Sequence, residues 1–254
     1  MPLSSSDRFL GRVEDYAKYR PSYPAAAIDL LVTHCGLKPG TDAVDLGSGT
    51  GILSALLLQR GARVFGIEPN REMRCYSDLA LRGEFYSEPG TAENTHMPDR
   101  FFDLLVAGQA FHWFDPQRAR VEALRILKPG AWAALLWNER QTGVIPFLED
   151  YEALLRRYAP EYDAVARLRA AEGGIGEFFG RQPQFAIFPN QQVLDLDGLA
   201  GRVMSSSYAP TRERPEYVPL MAGLRELFDR HQSDGKVVFP YRTLVYFGQP
   251  DRAA

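Results

Sequence analysis

Cysteine is scarce in this chain. Only Cys35 and Cys75 occur in 254 residues, and no C-x-x-C pair exists. That argues against a disulfide framework or a thiolate metal site and makes a reducing cytoplasm the expected setting. Histidine is equally sparse. His34 and His231 end helical stretches and His96 sits in a polar loop, so no His-based metal centre is expected. No apolar run reaches the ~18–20 residues that span a bilayer. The opening Met-Pro-Leu-Ser-Ser-Ser-Asp has no basic stretch followed by an apolar core, so neither a membrane partner nor a secretory leader is expected. Excess positive charge is also missing. The formal net charge is −3 and the pI about 5.9, whereas a nucleic-acid surface should be basic. Lysine is nearly absent, 4 against 25 arginines, a composition that suits a GC-rich bacterial source. No internal repeat, heptad run or low-complexity segment is present.

What is present is concentrated in residues 44–51, Val-Asp-Leu-Gly-Ser-Gly-Thr-Gly, and in Gly-Ile-Glu-Pro at 66–69. An apolar run over 43–46 leads into Gly47, Gly49 and Gly51, and an amphipathic stretch over 52–59 follows. This spells a strand, a tight turn and a helix start, with glycines that let a ligand approach the backbone and a helix N-terminus with unpaired N–H groups. Two ligand classes use such a turn. A dinucleotide fold wants G-x-G-x-x-G beneath a pyrophosphate. Here Ile52 holds the third glycine's place, no Lys or Arg lies in the turn, and Asp45 would repel a pyrophosphate while suiting a cationic ligand. The spacing therefore favours S-adenosylmethionine over NAD. Glu68, at the end of the next strand, is placed to accept both ribose hydroxyls.

These motifs resemble those of the class I S-adenosylmethionine-dependent methyltransferases. Further segments resemble a small-molecule branch that includes the trans-aconitate methyltransferase-like proteins. They are residues 16–24, Tyr-Ala-Lys-Tyr-Arg-Pro-Ser-Tyr-Pro, then Gly90-Thr91-Ala92-Glu93, Gln109-Ala110-Phe111-His112-Trp113-Phe114-Asp115 and Ser205-Ser206-Ser207-Tyr208. The resemblance covers nearly the whole chain and bears on cofactor and reaction type far more than on substrate.

The resemblance implies S-adenosylmethionine as cofactor, S-adenosylhomocysteine as product, and a small-molecule acceptor methylated on O or N. Gly47, Ser48, Gly49, Thr50 and Gly51 would pass beneath the methionine and ribose portions, with Asp45 leading in. Pro69 and Met73 would pack the adenine, Met73 being equally suited to the core. Ala92 would offer its N–H to the adenine and Glu93 would accept from its amine. Gln109 and Ala110 would face the amino-acid end. Tyr16 and Arg20 read either as a flap over the cofactor or as surface packing, with Arg20 free to pair with a carboxylate. Tyr19, Tyr23, Trp113 and Tyr208 are candidates for acceptor binding. His112 is the candidate general base, since imidazole titrates near neutrality, with pocket shaping as the alternative. A carboxylate acceptor would draw on Arg20 or on Arg156, Arg157, Arg167 and Arg169.

Strand and helix signals alternate through the first 140 residues. Helices are expected over 25–35, 51–59, 71–81 and 116–127, and strands over 42–46, 63–67, 84–87, 103–108 and 131–138. Such alternation implies a parallel sheet with helices on both faces. Lys38-Pro39-Gly40 and Lys128-Pro129-Gly130 read as turns. With this alternation the resemblance implies a Rossmann-like α/β fold, a seven-stranded, mostly parallel sheet closed by an antiparallel C-terminal strand pair, and the long break in rhythm after residue 145 adds a helical cap. Residues 1–24 form the flap segment, 25–145 the cofactor-binding core, 146–183 the cap with helices over 147–158 and 165–171, and 184–254 complete the sheet. The last unit holds a strand over 184–193, helices over 196–204 and 216–231, and an extended run over 237–247. A monomer or homodimer is expected.

Overall fold

The computed structural model describes residues 13–143, 145–163 and 173–250. The helical piece expected over 165–171 lies outside them, as do Arg167 and Arg169. Strands β1 (Asp42–Leu46), β2 (Arg63–Ile67), β3 (Phe85–Glu88), β4 (Phe102–Gly108) and β5 (Leu127–Arg140) are mutually parallel. Strand β7 (Val237–Gly248) pairs antiparallel with β5, and β6 (Gln184–Leu194) pairs antiparallel with β7. The order is β3-β2-β1-β4-β5-β7-β6, a seven-stranded, mostly parallel sheet with an antiparallel C-terminal pair, as the resemblance implies.

The centre of this sheet is apolar on both faces, as parallel strands covered by crossover helices must be. All five residues of β1 are buried. Successive residues point to opposite sides. Ala43 joins Leu104 and Val106 against Ile28 and Leu31 of α2 (Ala25–His34) and Leu53 and Leu57 of α3 (Ile52–Leu58). Val44 and Leu46 join Leu105 and Ala107 against Ala119, Ala123 and Ile126 of α5 (Pro116–Ile126). Asp115 caps α5, accepting from the N–H groups of Gln117 and Arg118 at 3.1 Å each.

The two halves of the sheet differ in height. Gly108, the last residue of β4, pairs with Leu136, yet β5 continues to Arg140, paired with Tyr241. Above that level a third core forms. Phe239 and Tyr241 of β7 pack with α6 (Pro146–Tyr158), the helix Leu196–Met204 and the helix Tyr217–His231 through Phe147, Tyr151, Leu199, Val203, Leu224 and Phe228. The helical layer is thus built by α6 together with the two late helices. Ile175, Phe178 and Phe179, inside the 146–183 stretch expected as one cap, pack instead beside α5.

One strand boundary differs from expectation. β5 begins at Leu127, and Lys128-Pro129-Gly130 bulges within it rather than preceding it. The register jumps between Phe102 and Leu104, whose partners are Leu127 and Trp132, and Gly130 takes φ +80° at the bulge.

Candidate active site

The carboxyl ends of β1, β2 and β4 open onto two cavities that share Tyr16, Arg20, Gly47, Gly49, Gly108 and Gln109. The smaller, about 150 Å³, is walled by Glu68, Pro69, Met73, Ala92, Glu93 and the segment 110–114 with His112 and Trp113. The larger, about 450 Å³, runs past Asp45, Ser48 and Thr50 toward Arg140, Arg202 and Tyr208.

The glycine loop allows this junction. Gly47 has φ +67°, and a Cβ there would lie 2.6 Å from that of Ala110. Gln109 stands opposite with φ +58°, unusual for a residue with a side chain. It is held there by its N–H bonding to the Leu136 carbonyl at 2.9 Å and its Nε2 to the Asn138 carbonyl at 3.0 Å. Strained non-glycine backbone of this kind persists where surrounding bonds over-determine it.

Two buried carboxylates face the cavities. Glu68 accepts from the N–H groups of Gly49 at 3.0 Å and Asn70 at 2.8 Å, which tie the glycine loop to β2. A carboxylate has about four acceptor sites, so two remain for hydroxyls. Burial pushes the Glu68 pKa above the usual carboxylate range, while the two backbone N–H bonds pull it back. Asp45 is 1% exposed. Its Oδ2 accepts from the Ser54 hydroxyl at 2.7 Å, and its buried Oδ1 has no partner among the described residues. Burial pushes Asp45 up to about 7, against which the Ser54 hydroxyl works. The Ser48 and Thr50 hydroxyl oxygens are also buried without a partner among the described residues. A ligand with ribose hydroxyls and a cationic amino-acid end supplies what these orphaned groups lack, and the Gly47 cradle leaves room for it.

The N-terminal segment is strapped over the strand ends. Asn138 Nδ2 donates to the carbonyls of Pro21 and Ser22 at 3.3 and 3.2 Å, Asn190 Nδ2 to Ser22 at 2.8 Å, and Gln192 Nε2 to Tyr19 at 3.0 Å. The straps put Tyr16 and Arg20 on both cavities and Tyr23 on the larger one. Arg20 is not left hanging over the site. Its guanidinium stacks 4.7 Å from the Tyr16 ring centroid and donates to the Ser205 carbonyl at 2.7 Å. The Ser205-Ser206-Ser207-Tyr208 motif thereby joins the first helix, α1 (Val13–Tyr19), to the helix Leu196–Met204.

Four expectations shift. Gly51, expected beneath the cofactor, lines neither cavity; a Cβ there would lie 2.5 Å from the Leu81 side chain. Tyr19 lines neither cavity. Its ring packs directly on Gly201, where the absent Cβ makes room. Glu93 borders the smaller cavity but spends Oε1 on the Asp115 N–H at 2.9 Å, which steadies the cap of α5. His112 and Trp113 wall only the smaller cavity and are absent from the larger.

Sequence reasoning missed Arg140, Glu152, Tyr162 and Arg202 in the larger cavity. The straps from Asn138, Asn190 and Gln192 were also missed. None sits in a local motif, and only the tall half of the sheet brings them together.

Comparison with known proteins bears on the domain and the fold. Residues 44–135, from β1 to β5, match the family model for the methyltransferase domain. An uncharacterized methyltransferase of Mycobacterium tuberculosis is 39% identical over 132 residues, 52% of this chain and 52% of the relative. The chain thus spans about half the length of the mycobacterial relatives it matches. An uncharacterized methyltransferase-like protein of Schizosaccharomyces pombe is 25% identical across 95% of this chain and 94% of its own length. Among solved structures, one from Anaeromyxobacter dehalogenans, proposed to be a type II methyltransferase, superposes with a TM-score of 0.61 at 22% identity, covering 91% of this chain and 98% of that one. The Bacillus subtilis YcgJ protein gives 0.52 at 17% identity, covering 90% and 100%. Residues 44–135 are thus similar to a methyltransferase domain, and the sheet carrying them has the fold of these solved structures.

Proposed function

We propose that this protein transfers the methyl group of S-adenosylmethionine to an oxygen or nitrogen of a small organic acceptor. One observation carries the reading: two cavities of different character meet at Gly47, Gly49 and Gln109, the smaller beside Glu68 and the larger beside Asp45. The smaller suits adenosine, with Glu68 accepting the ribose hydroxyls, Met73 and Pro69 against the base, and the Ala92 N–H toward it. The larger takes the acceptor from the other side of the junction. Asp45 holds positive charge at the amino-acid end of the cofactor, and Tyr16 and Arg20 cover the join.

The cofactor brings a methyl group already activated by a sulfonium, so the chain's contribution is placement. Orienting two reactants can supply roughly 7–11 kcal/mol of the barrier reduction. The strapped segment 19–22 and the aromatic walls keep water from the line of attack. His112, on the cofactor side of the junction, shapes the adenosine pocket rather than taking the acceptor's proton.

Two measurements test this. Calorimetry should give micromolar binding of S-adenosylhomocysteine and none of NAD; tighter NAD binding would sink the assignment. Transfer of labelled methyl from S-adenosylmethionine into a small-molecule cell extract should depend on the protein. Cofactor binding without any transfer would make it a binding module instead.

A further inference from the structure

The wall of the larger cavity farthest from the glycine loop holds two arginines that the reaction as described does not use. Arg202, on the helix Leu196–Met204, is 4% exposed. Its Nε donates to the Tyr241 hydroxyl and its Nη1 to the Ser206 hydroxyl, both at 3.2 Å, and no carboxylate among the described residues lies within ion-pair distance. Arg140, at the end of β5, donates from Nη2 to the Tyr162 hydroxyl at 2.7 Å, while its buried Nη1 has no partner among the described residues. Its guanidinium lies 5.3 and 5.7 Å from the ring centroids of Tyr151 and Tyr162, which hold the plane in place.

The counter-charge falls short. Glu152 is the nearest acid to Arg140, at 3.9 Å, but it gives its other oxygen to Arg156 at 2.9 Å and also accepts from Tyr162 at 3.2 Å. Glu139, also on the cavity, pairs with Arg242. Buried Arg202 and Arg140, whose side chain is 14% exposed, therefore face one cavity with part of one carboxylate between them among the described residues, and charges withdrawn from water require pairing.

We infer that Arg140 and Arg202 anchor a carboxylate of the methyl acceptor, making this protein specific for small organic acids. The inference rests on the proposed methyl transfer in the same cavity. The anchor is a handle rather than the methylated group. Arg140 lies four residues beyond Leu136, the partner of Gly108, or about 13 Å along the strand at ~3.3 Å per residue. A carboxylate neutralised by two guanidiniums is also a poor nucleophile. The methylated oxygen or nitrogen belongs to the other end of the acceptor, near Gln109.

The test uses the protein saturated with S-adenosylhomocysteine. Succinate, malonate and benzoate are titrated by calorimetry beside succinamide, malonamide and benzamide, with inorganic phosphate as a further arm. At least one carboxylate should bind tenfold or more tighter than its amide and than phosphate. R140Q and R202Q should each erase that preference, R140K should keep part of it, and S-adenosylhomocysteine affinity should change less than twofold. If R202Q does not fold, R140Q and R140K carry the test. No preference for carboxylate over amide, phosphate binding as tightly as the carboxylates, or an equal loss of S-adenosylhomocysteine affinity in the variants would overturn the anchor. Wild-type protein that failed to bind S-adenosylhomocysteine would remove the methyl-transfer reading as well, so the two failures are distinct.

Discussion

The two cavities are built in opposite ways. The smaller is made almost wholly of short sequence segments at the ends of consecutive parallel strands: residues 47–49 after β1, 67–70 after β2, 91–93 after β3 and 108–114 after β4. The larger draws on β5, α6, the helix Leu196–Met204, β7 and the N-terminal strap, elements far apart in the chain. The first is a product of topology. Any chain with this strand order brings those four loops to one edge. The second depends on β5 and β7 running beyond β4, which raises a platform for a separate helical core. A fold of this kind can thus hold its cofactor pocket constant while the acceptor pocket varies with whatever packs on the tall half.

That contrast breaks most sharply at the shared junction. Gly47→Val should abolish cofactor binding altogether. A β-branched residue at φ +67° costs roughly 1–3 kcal/mol, and its Cβ would lie 2.6 Å from Ala110's, so the loop must move into both cavities. Calorimetry with S-adenosylhomocysteine checks this, and retained micromolar affinity would show the loop to be no part of the site.

Next in size is Glu68→Ala, confined to the smaller cavity. Losing a charge-assisted acceptor should weaken S-adenosylhomocysteine binding by about 1.5–3 kcal/mol, which is roughly 10- to 150-fold. The Gly49 and Asn70 N–H groups lose their partner as well, so Glu68→Gln, which keeps an acceptor oxygen, should recover part of the loss. Equal dissociation constants for wild type and Glu68→Ala would make the residue a loop tie only.

How much was readable follows the same divide. The alternating strands and helices of the parallel half, the helix Leu196–Met204 and the glycine loop carry local signals: alternating periodicity, an Asp cap at 195, glycines at fixed spacing. Side chains whose neighbours are set by register were not readable. Arg202 sits in a helix whose pattern reads as an ordinary amphipathic segment, and only the pairing of Arg140 with Tyr241 places it beside the second arginine's hydrogen-bond partner. Tyr19 shows the reverse error. Its place in an aromatic motif suggested a binding role, while Gly201, 182 positions later, makes the pocket that receives its ring. Lys128-Pro129-Gly130 carries a correct turn signal, but only pairing with β4 makes it a bulge within a strand.

A smaller, graded effect comes from Asp45 and pH. Its carboxyl titrates near 3.8 when unfolded and is pushed up to about 7 by burial in the folded chain. Between those values the folded state holds one more proton, so stability falls as pH rises from about 4 to about 7 and is level above. Asp45→Asn should remove that slope in thermal melts. Cofactor binding should run the other way. A cationic ligand favours the ionised carboxylate, so S-adenosylmethionine affinity should rise up to about tenfold between pH 6 and 8 and flatten above pH 8. A pH-independent affinity in wild type would mean that Asp45 does not face the ligand's positive charge.

The smallest effect is expected at His112, and it bears most directly on the division of labour between the cavities. A general base must reach the acceptor's proton and normally contributes ~10²–10⁴-fold. His112 lies in the 3-10 turn Phe111–Trp113, its ring centroid 4.8 Å from that of Trp113, on the wall of the cofactor cavity alone. Under the proposed assignment of the cavities it stands beside the cofactor rather than the acceptor. His112→Gln should therefore keep kcat within ~3-fold of wild type, and His112→Ala should act mainly by raising the KM for S-adenosylmethionine. Wild type and His112→Gln should also share the same pH–rate profile, because the imidazole takes no proton during turnover. A thousandfold fall in kcat for His112→Gln, together with loss of an acidic limb present in wild type, would place the base on the cofactor side. The two cavities would then share the chemistry instead of dividing it.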